Sequence, residues 1–202
     1  MKSVGRYWRI CMPSDARPET AATPLDPRGV CNLILDEAAR LDRPITNLAL
    51  QKLLYFAHGL HLVETKRPLV SGYFEAWQYG PVHPTAYNAF KSAGDKPISF
   101  RAVRQSPLQT ETQPIPNPTE PDVVACAQRI VHTYARMTPG RLVEISHAAG
   151  APWFFVVNKA RTSMAFGLRI TDDVILEYFK HHKVPIGLTP NVGEPSEDTP
   201  FT

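Results

Sequence analysis

Apolar residues recur at helical spacing over much of the chain. Residues 28–41 place Val30, Leu33, Ile34, Ala38 and Leu41 three and four apart, which predicts an amphipathic helix. The strongest signal covers 46–65, where Leu50, Leu53, Leu54, Ala57, Leu60 and His61 line one face and Thr46 or Asn47 is placed to cap the start. Pro84, Pro121 and Pro139 each suit a first helical turn, where the missing N–H costs nothing, and predict helices over 84–93, 121–137 and 139–149, with Thr138 as a cap for the last. Thr171 followed by Asp172 and Asp173 starts a further helix over 172–182, with carboxylates at the positive end of its dipole. Strand signals are thin. Tyr73–Trp77 and Phe154–Val157 are the two short extended candidates, and there is no internal repeat. The expected fold is mainly α: a compact single helical domain with one or two short extended segments.

Proline changes this picture by dividing the chain. There are 20 prolines. Pro13, Pro18, Pro24 and Pro27 mark residues 1–24 as a flexible N-terminal arm ahead of a domain spanning 25–187. Pro107, Pro114, Pro116, Pro118 and Pro121 make 105–121 an extended connector inside that domain, since proline cannot donate to a helix or a central ladder. From Pro190 the chain carries Glu194, Glu197 and Asp198 with no basic residue, so 188–202 reads as a disordered acidic tail.

Charge and composition exclude more than they assign. The 202 residues carry 22 Lys and Arg against 19 Asp and Glu, a net charge of +3. The basic residues are scattered, Lys180-His181-His182-Lys183 being the densest run, which argues against a nucleic-acid partner. No apolar run approaches the roughly 18 residues of a membrane span, and Met1–Arg9 is not followed by the apolar core of a secretory signal. Cys11, Cys31 and Cys126 are odd in number and far apart, as expected of reduced thiols. A soluble cytoplasmic protein is expected.

Candidate chemistry is sparse. His58 and His61 lie three apart on the strongest helix, but neither HExxH nor a nearby cysteine pair completes a zinc set, so packing histidines are expected and no metal. Glu144, Ser146 and His147 invite comparison with a hydrolytic triad. Adjacent helical residues point about 100° apart, which prevents Ser146 and His147 from pairing as nucleophile and base. Neither GxGxxG nor GxxxxGK[ST] occurs, so no nucleotide, other cofactor or enzymatic activity is expected. One segment stands apart. Glu75–Pro84 crowds Trp77, Tyr79 and His83 around Gly80-Pro81, where the proline bars the preceding residue from the helical region and forces a turn. Trp77 and Tyr79 combine large apolar area with a polar tip, as interface residues often do; the plainer alternative is a core tryptophan beside a rigid corner.

Leu50–Ala57 (LQKLLYFA), followed about twenty residues later by Glu75–Val82 (EAWQYGPV), resembles the signature of the Panacea-domain family of SocA-like antitoxins and phage-associated proteins. Leu142–His147 with Pro152-Trp153 is similar to the family's second block, and Ile170-Thr171 with Ile175–Phe179 to its last helix. The blocks run in family order from about 28 to 182. The resemblance implies a helical domain without agreed catalytic residues that binds and silences a toxin encoded beside it. One member acts as an adaptor that delivers its toxin to the ClpXP protease. The 1–24 arm and the long 105–121 connector depart from the family pattern, and either is a place for recognition of this protein's own partner.

The combined expectation is an antitoxin that neutralises a cognate toxin by direct binding, as a homodimer or a heterotetramer with the toxin. Tyr55, His58, Trp77, Tyr79, Gly80, Pro81, His83, His147 and Trp153 form the candidate surface, with Trp77 and Trp153 as buried anchors and Tyr79 and His83 as exposed contacts. The alternatives are a proteolytic adaptor for ClpXP, working through the arm and tail, and a DNA-binding autoregulator. The latter would read through the helices joined at Thr138-Pro139-Gly140, where Arg141 is the second helix's sole basic residue.

Overall fold

A computed structural model describes residues 23–105, 112–162 and 168–182. The expected mainly helical fold is found. Helix α1 (Pro27–Arg40) starts where Asp26 accepts from the Arg28 N–H at 2.9 Å and Pro27 takes the first position. Helix α2 (Asn47–Thr65) is capped by Thr46, whose hydroxyl accepts from the Ala49 N–H at 3.3 Å. It ends at Lys66 in a left-handed conformation (φ 59°), whose N–H closes on the Leu62 carbonyl. Fifteen of its 19 residues are buried, so this helix runs through the centre of the molecule. It packs against α1, α3 (Pro84–Phe90), α4 (Pro121–Tyr134), α5 (Pro139–Ser146) and α7 (Asp172–Tyr178). Single 3-10 turns follow α3 and α7, at Lys91–Ala93 and Phe179–His181.

The expected extended piece at Tyr73–Trp77 is strand β1 (Phe74–Trp77). It pairs antiparallel with β2 (Gly80–Val82) on one side and with β5 (Arg169–Ile170) on the other. The second expected extended piece is corrected. Phe154–Val157 lies inside helix α6 (Pro152–Thr162), where Trp153 and Val157, four residues apart, are buried while Phe154 is exposed. Pro152 opens the first turn, and burial at period four outweighs the strand preference of an aromatic and β-branched run.

Part of the 105–121 connector is paired. Thr112–Pro114 forms strand β4 and pairs antiparallel with β3 (Val103–Gln105), and the chain beyond it lies along α1. There Ile115 is buried, and the Pro116 carbonyl would be 3.0 Å from any Cβ at Gly29. Asn32 of α1 fastens the base of this ribbon. Its amide nitrogen donates to the carbonyls of Ala102 and Ile115 at 3.1 and 3.3 Å, and its oxygen accepts from the Ala102 N–H at 2.8 Å. Residues 106–111, most of the 1–24 arm, Cys11 and the 188–202 tail lie outside the described residues.

Cys31 and Cys126 are free, buried thiols, and burial raises the pKa of each. Among the described residues no helix is long and apolar enough to cross a membrane.

Asn32→Leu keeps the branched outline of the side chain but strands three backbone groups. It should destabilise the fold by roughly 2 kcal/mol or more, read as a lower urea midpoint.

Candidate functional site

The β1–β2 hairpin turns through Gln78 and Tyr79, with Trp77 opposite Gly80. Both loop residues keep negative φ, so the reversal falls on Gly80 at φ 101°. Glycine is required there twice over. The conformation is left-handed, and a Cβ would stand 2.5 Å from Ser146 Oγ and 2.9 Å from Lys52 Cε.

Two consecutive residues of α2 reach the hairpin from behind. Lys52, fully buried, donates from Nζ to the Pro81 carbonyl at 3.2 Å. Gln51, equally buried, accepts the His83 N–H on Oε1 at 3.1 Å and donates to Asn47 Oδ1 at 3.1 Å. The far side is closed by the end of α5 and the start of α6. Trp153 donates from its indole to the Trp77 carbonyl at 2.8 Å, and His147 stacks on Trp153 with centroids 3.6 Å apart and rings 14° from parallel. Trp77 donates its own indole N–H to Glu75 Oε2 at 2.8 Å and meets Tyr87 edge-on. Trp77 and Trp153 are thus both buried.

The other expected contacts sort differently. Tyr79 is half-buried and Gln78 exposed, and these form the accessible tip. His83, expected as an exposed contact, is only 1% exposed. Its Nε2 donates to the Ser71 carbonyl at 2.9 Å and its ring meets Phe74 edge-on, while Nδ1 is buried without a partner. Tyr55 is fully buried among Phe56, Phe74 and Phe179. His58 is spent inside the fold as well: Nδ1 accepts from the Val70 N–H, so Nε2 carries the proton and donates to Asp172 at 3.0 Å, tying α2 to α7. In this structure, therefore, Tyr55, His58 and His83 lie within the scaffold and not on its accessible surface. Histidine and tyrosine pair an apolar body with a polar tip, and sequence alone does not say which end wins.

Ser146 and His147 do not form a nucleophile–base pair. The serine hydroxyl donates to the Val143 carbonyl at 2.8 Å, and the His147 ring lies on tryptophan. His58 and His61 gather no further ligands: among the described residues no cluster of three or more metal-ligating side chains occurs. What sequence reasoning missed is the pair Gln51 and Lys52. The available signal was a lysine midway along a helix with leucines and alanine on both sides of it, which leaves little surface for a charge.

Burial holds several histidines neutral. His147 is lowered to about 4 by desolvation and then by the Lys52 charge, and His182 to about 4 by desolvation in a box of Tyr55, Phe56 and Phe179. His61 and His83 are lowered for the same first reason. An unfolded histidine titrates near 6.5, so between about pH 6.5 and 4 the unfolded chain holds protons the folded chain does not. Stability is complete above that window and drains away as pH falls through it, by up to about 3 kcal/mol for each of His147 and His182. Urea unfolding should show this slope, and His182→Phe should flatten it.

Residues 50–154 match the family described as antitoxin SocA-like, Panacea domain. The chain is 46% identical over 176 residues to antitoxin SocA of Caulobacter vibrioides (strain NA1000 / CB15N), covering 87% of this chain and 94% of the relative. No solved structure matches it significantly. The matched span runs from the α2 residues that grip the hairpin to the tryptophan that closes it, and the chain belongs to the SocA-like, Panacea-domain antitoxin family.

Proposed function

We propose that this protein is an antitoxin that neutralises its cognate toxin by direct, stoichiometric binding, and that the tip of the β1–β2 hairpin is the contact. The antitoxin role is supported by similarity to antitoxin SocA along most of both chains. The observation that carries the contact is the construction of the hairpin. Its backbone is bonded by Gln51 and Lys52 from behind and by Trp153 on the far side, which leaves Gln78 and Tyr79 outward on a turn already fixed in shape. Little conformational entropy is then lost on docking, and a preordered tyrosine is an efficient interface residue. Trp77, Gly80, Pro81, His147 and Trp153 support the tip from within.

The charges around it are engaged internally: Glu75 with the Trp77 indole and Arg141 with Glu144. The same ion pair, and the burial of Leu142, Val143, Ile145 and Ser146, leave α5 poorly suited to reading DNA. The adaptor alternative rests on the arm and the tail, outside the described residues.

Co-expression with the product of the adjacent gene tests the proposal. Tyr79→Ala should lose growth rescue and weaken purified binding by at least about 30-fold, with the circular dichroism unchanged. Full rescue by that variant removes this surface. Because the contact is mainly uncharged, the affinity should change by less than about threefold between about 50 and 500 mM salt. A steep salt dependence would point to a charged face elsewhere.

A further inference from the structure

Strand β2 is the outer strand of the β2–β1–β5 sheet. The Ala76 N–H is bonded to the Leu168 carbonyl on the β5 side, so the pair Ala76 and Pro81 is not a hydrogen-bonded one and the Pro81 carbonyl faces away from β1. The next outward-facing group, two residues on, is the His83 N–H. Proline fits at 81 because the N–H it lacks would also have faced outward. A carbonyl and an N–H at this spacing are what a fourth strand would bond. Instead, α2 supplies a side-chain donor for the first, Lys52 Nζ, and a side-chain acceptor for the second, Gln51 Oε1.

We propose that Gln51 and Lys52 are positioning residues for the docking tip, acting as a substitute edge strand that holds the Gln78–Pro81 turn in the shape its partner meets. The idea rests on the hairpin being the docking surface. Its second support is the presence of a fully buried lysine at all. Taking an ammonium out of water is costly, and apolar residues of similar volume commonly replace buried ion pairs without loss of stability. The turn gains a fixed carbonyl, and the glycine beside it lies against the lysine stem and Ser146 with no room to shift toward them.

The test uses the full chain with Lys52→Met, Gln51→Met and Tyr79→Ala, reading thermal unfolding, amide hydrogen exchange by mass spectrometry, and affinity for the adjacent gene's product. For both methionine variants the expected result is exchange at 78–83 at least about tenfold faster, affinity at least about tenfold weaker, and a melting temperature within a few degrees of the parent. Gln51→Met leaves the buried charge in place, so it decides the matter if Lys52→Met fails to fold. Unchanged exchange at 78–83 overturns the proposal. So does exchange that rises throughout the chain in step with a lower melting temperature, since that is ordinary destabilisation. Faster exchange at the tip with unaltered affinity in all three variants, Tyr79→Ala included, overturns the docking surface while leaving the edge-strand geometry standing.

Discussion

Helix α2 is enclosed by other elements along most of its length, and the polar side chains on its enclosed faces need partners inside the protein. Most features of the structure follow from that constraint. Asn47 and Gln51 bond each other, Gln51 and Lys52 bond the backbone of β2, and His58 bonds Val70 and Asp172. Gly59 leaves the space in which the Phe179 ring sits, since a Cβ there would stand 2.0 Å from it. One helix thus organises the hairpin at one place and the end of α7 at another, through side chains that a simple apolar core would not need.

The polar contacts and the aromatic contacts divide the labour. Aromatic rings pack closely around the helix: Tyr55 lies against Phe74 and Phe179, and Phe56 stacks on Tyr134 at 4.8 Å. Such contacts are strong but tolerant of small displacements. Hydrogen bonds to backbone groups fix direction, and they occur where the chain has no regular ladder to do so: at the free edge of β2, and at the base of the β3–β4 ribbon held by Asn32. A protein that docks on a partner, as proposed, gains from this division. Its contribution to affinity depends on presenting a surface already in its bound shape.

The helical elements were legible in the sequence because their signals are local. Proline at the first turn marked the starts at Pro84, Pro121 and Pro139, and Thr138 and Thr171 cap their helices through their own hydroxyls. The failures have a common source. Phe154–Val157 reads as a strand by residue type, and only the packing of Trp153 and Val157 makes it a helix. The proline-rich connector reads as extended chain, and its pairing with β3 and its fastening by Asn32 are not visible in local sequence. His83 follows a turn in sequence, as exposed residues often do, yet Ser71 and Phe74 close over it.

By itself the sequence determined the fold class, most helix boundaries, the Gly80-Pro81 corner and the family to which the chain belongs. Periodicity, capping and turn chemistry act over a few residues, and ordered blocks can be read without coordinates. Only the tertiary structure decided which side of each amphipathic residue faces the core. Tyr55, His58 and His83 went inward, and Tyr79 stayed accessible. The same holds for Lys52, whose meeting with Pro81 spans 29 positions. Burial and long-range hydrogen bonding depend on what the rest of the chain brings alongside, and no local pattern records that.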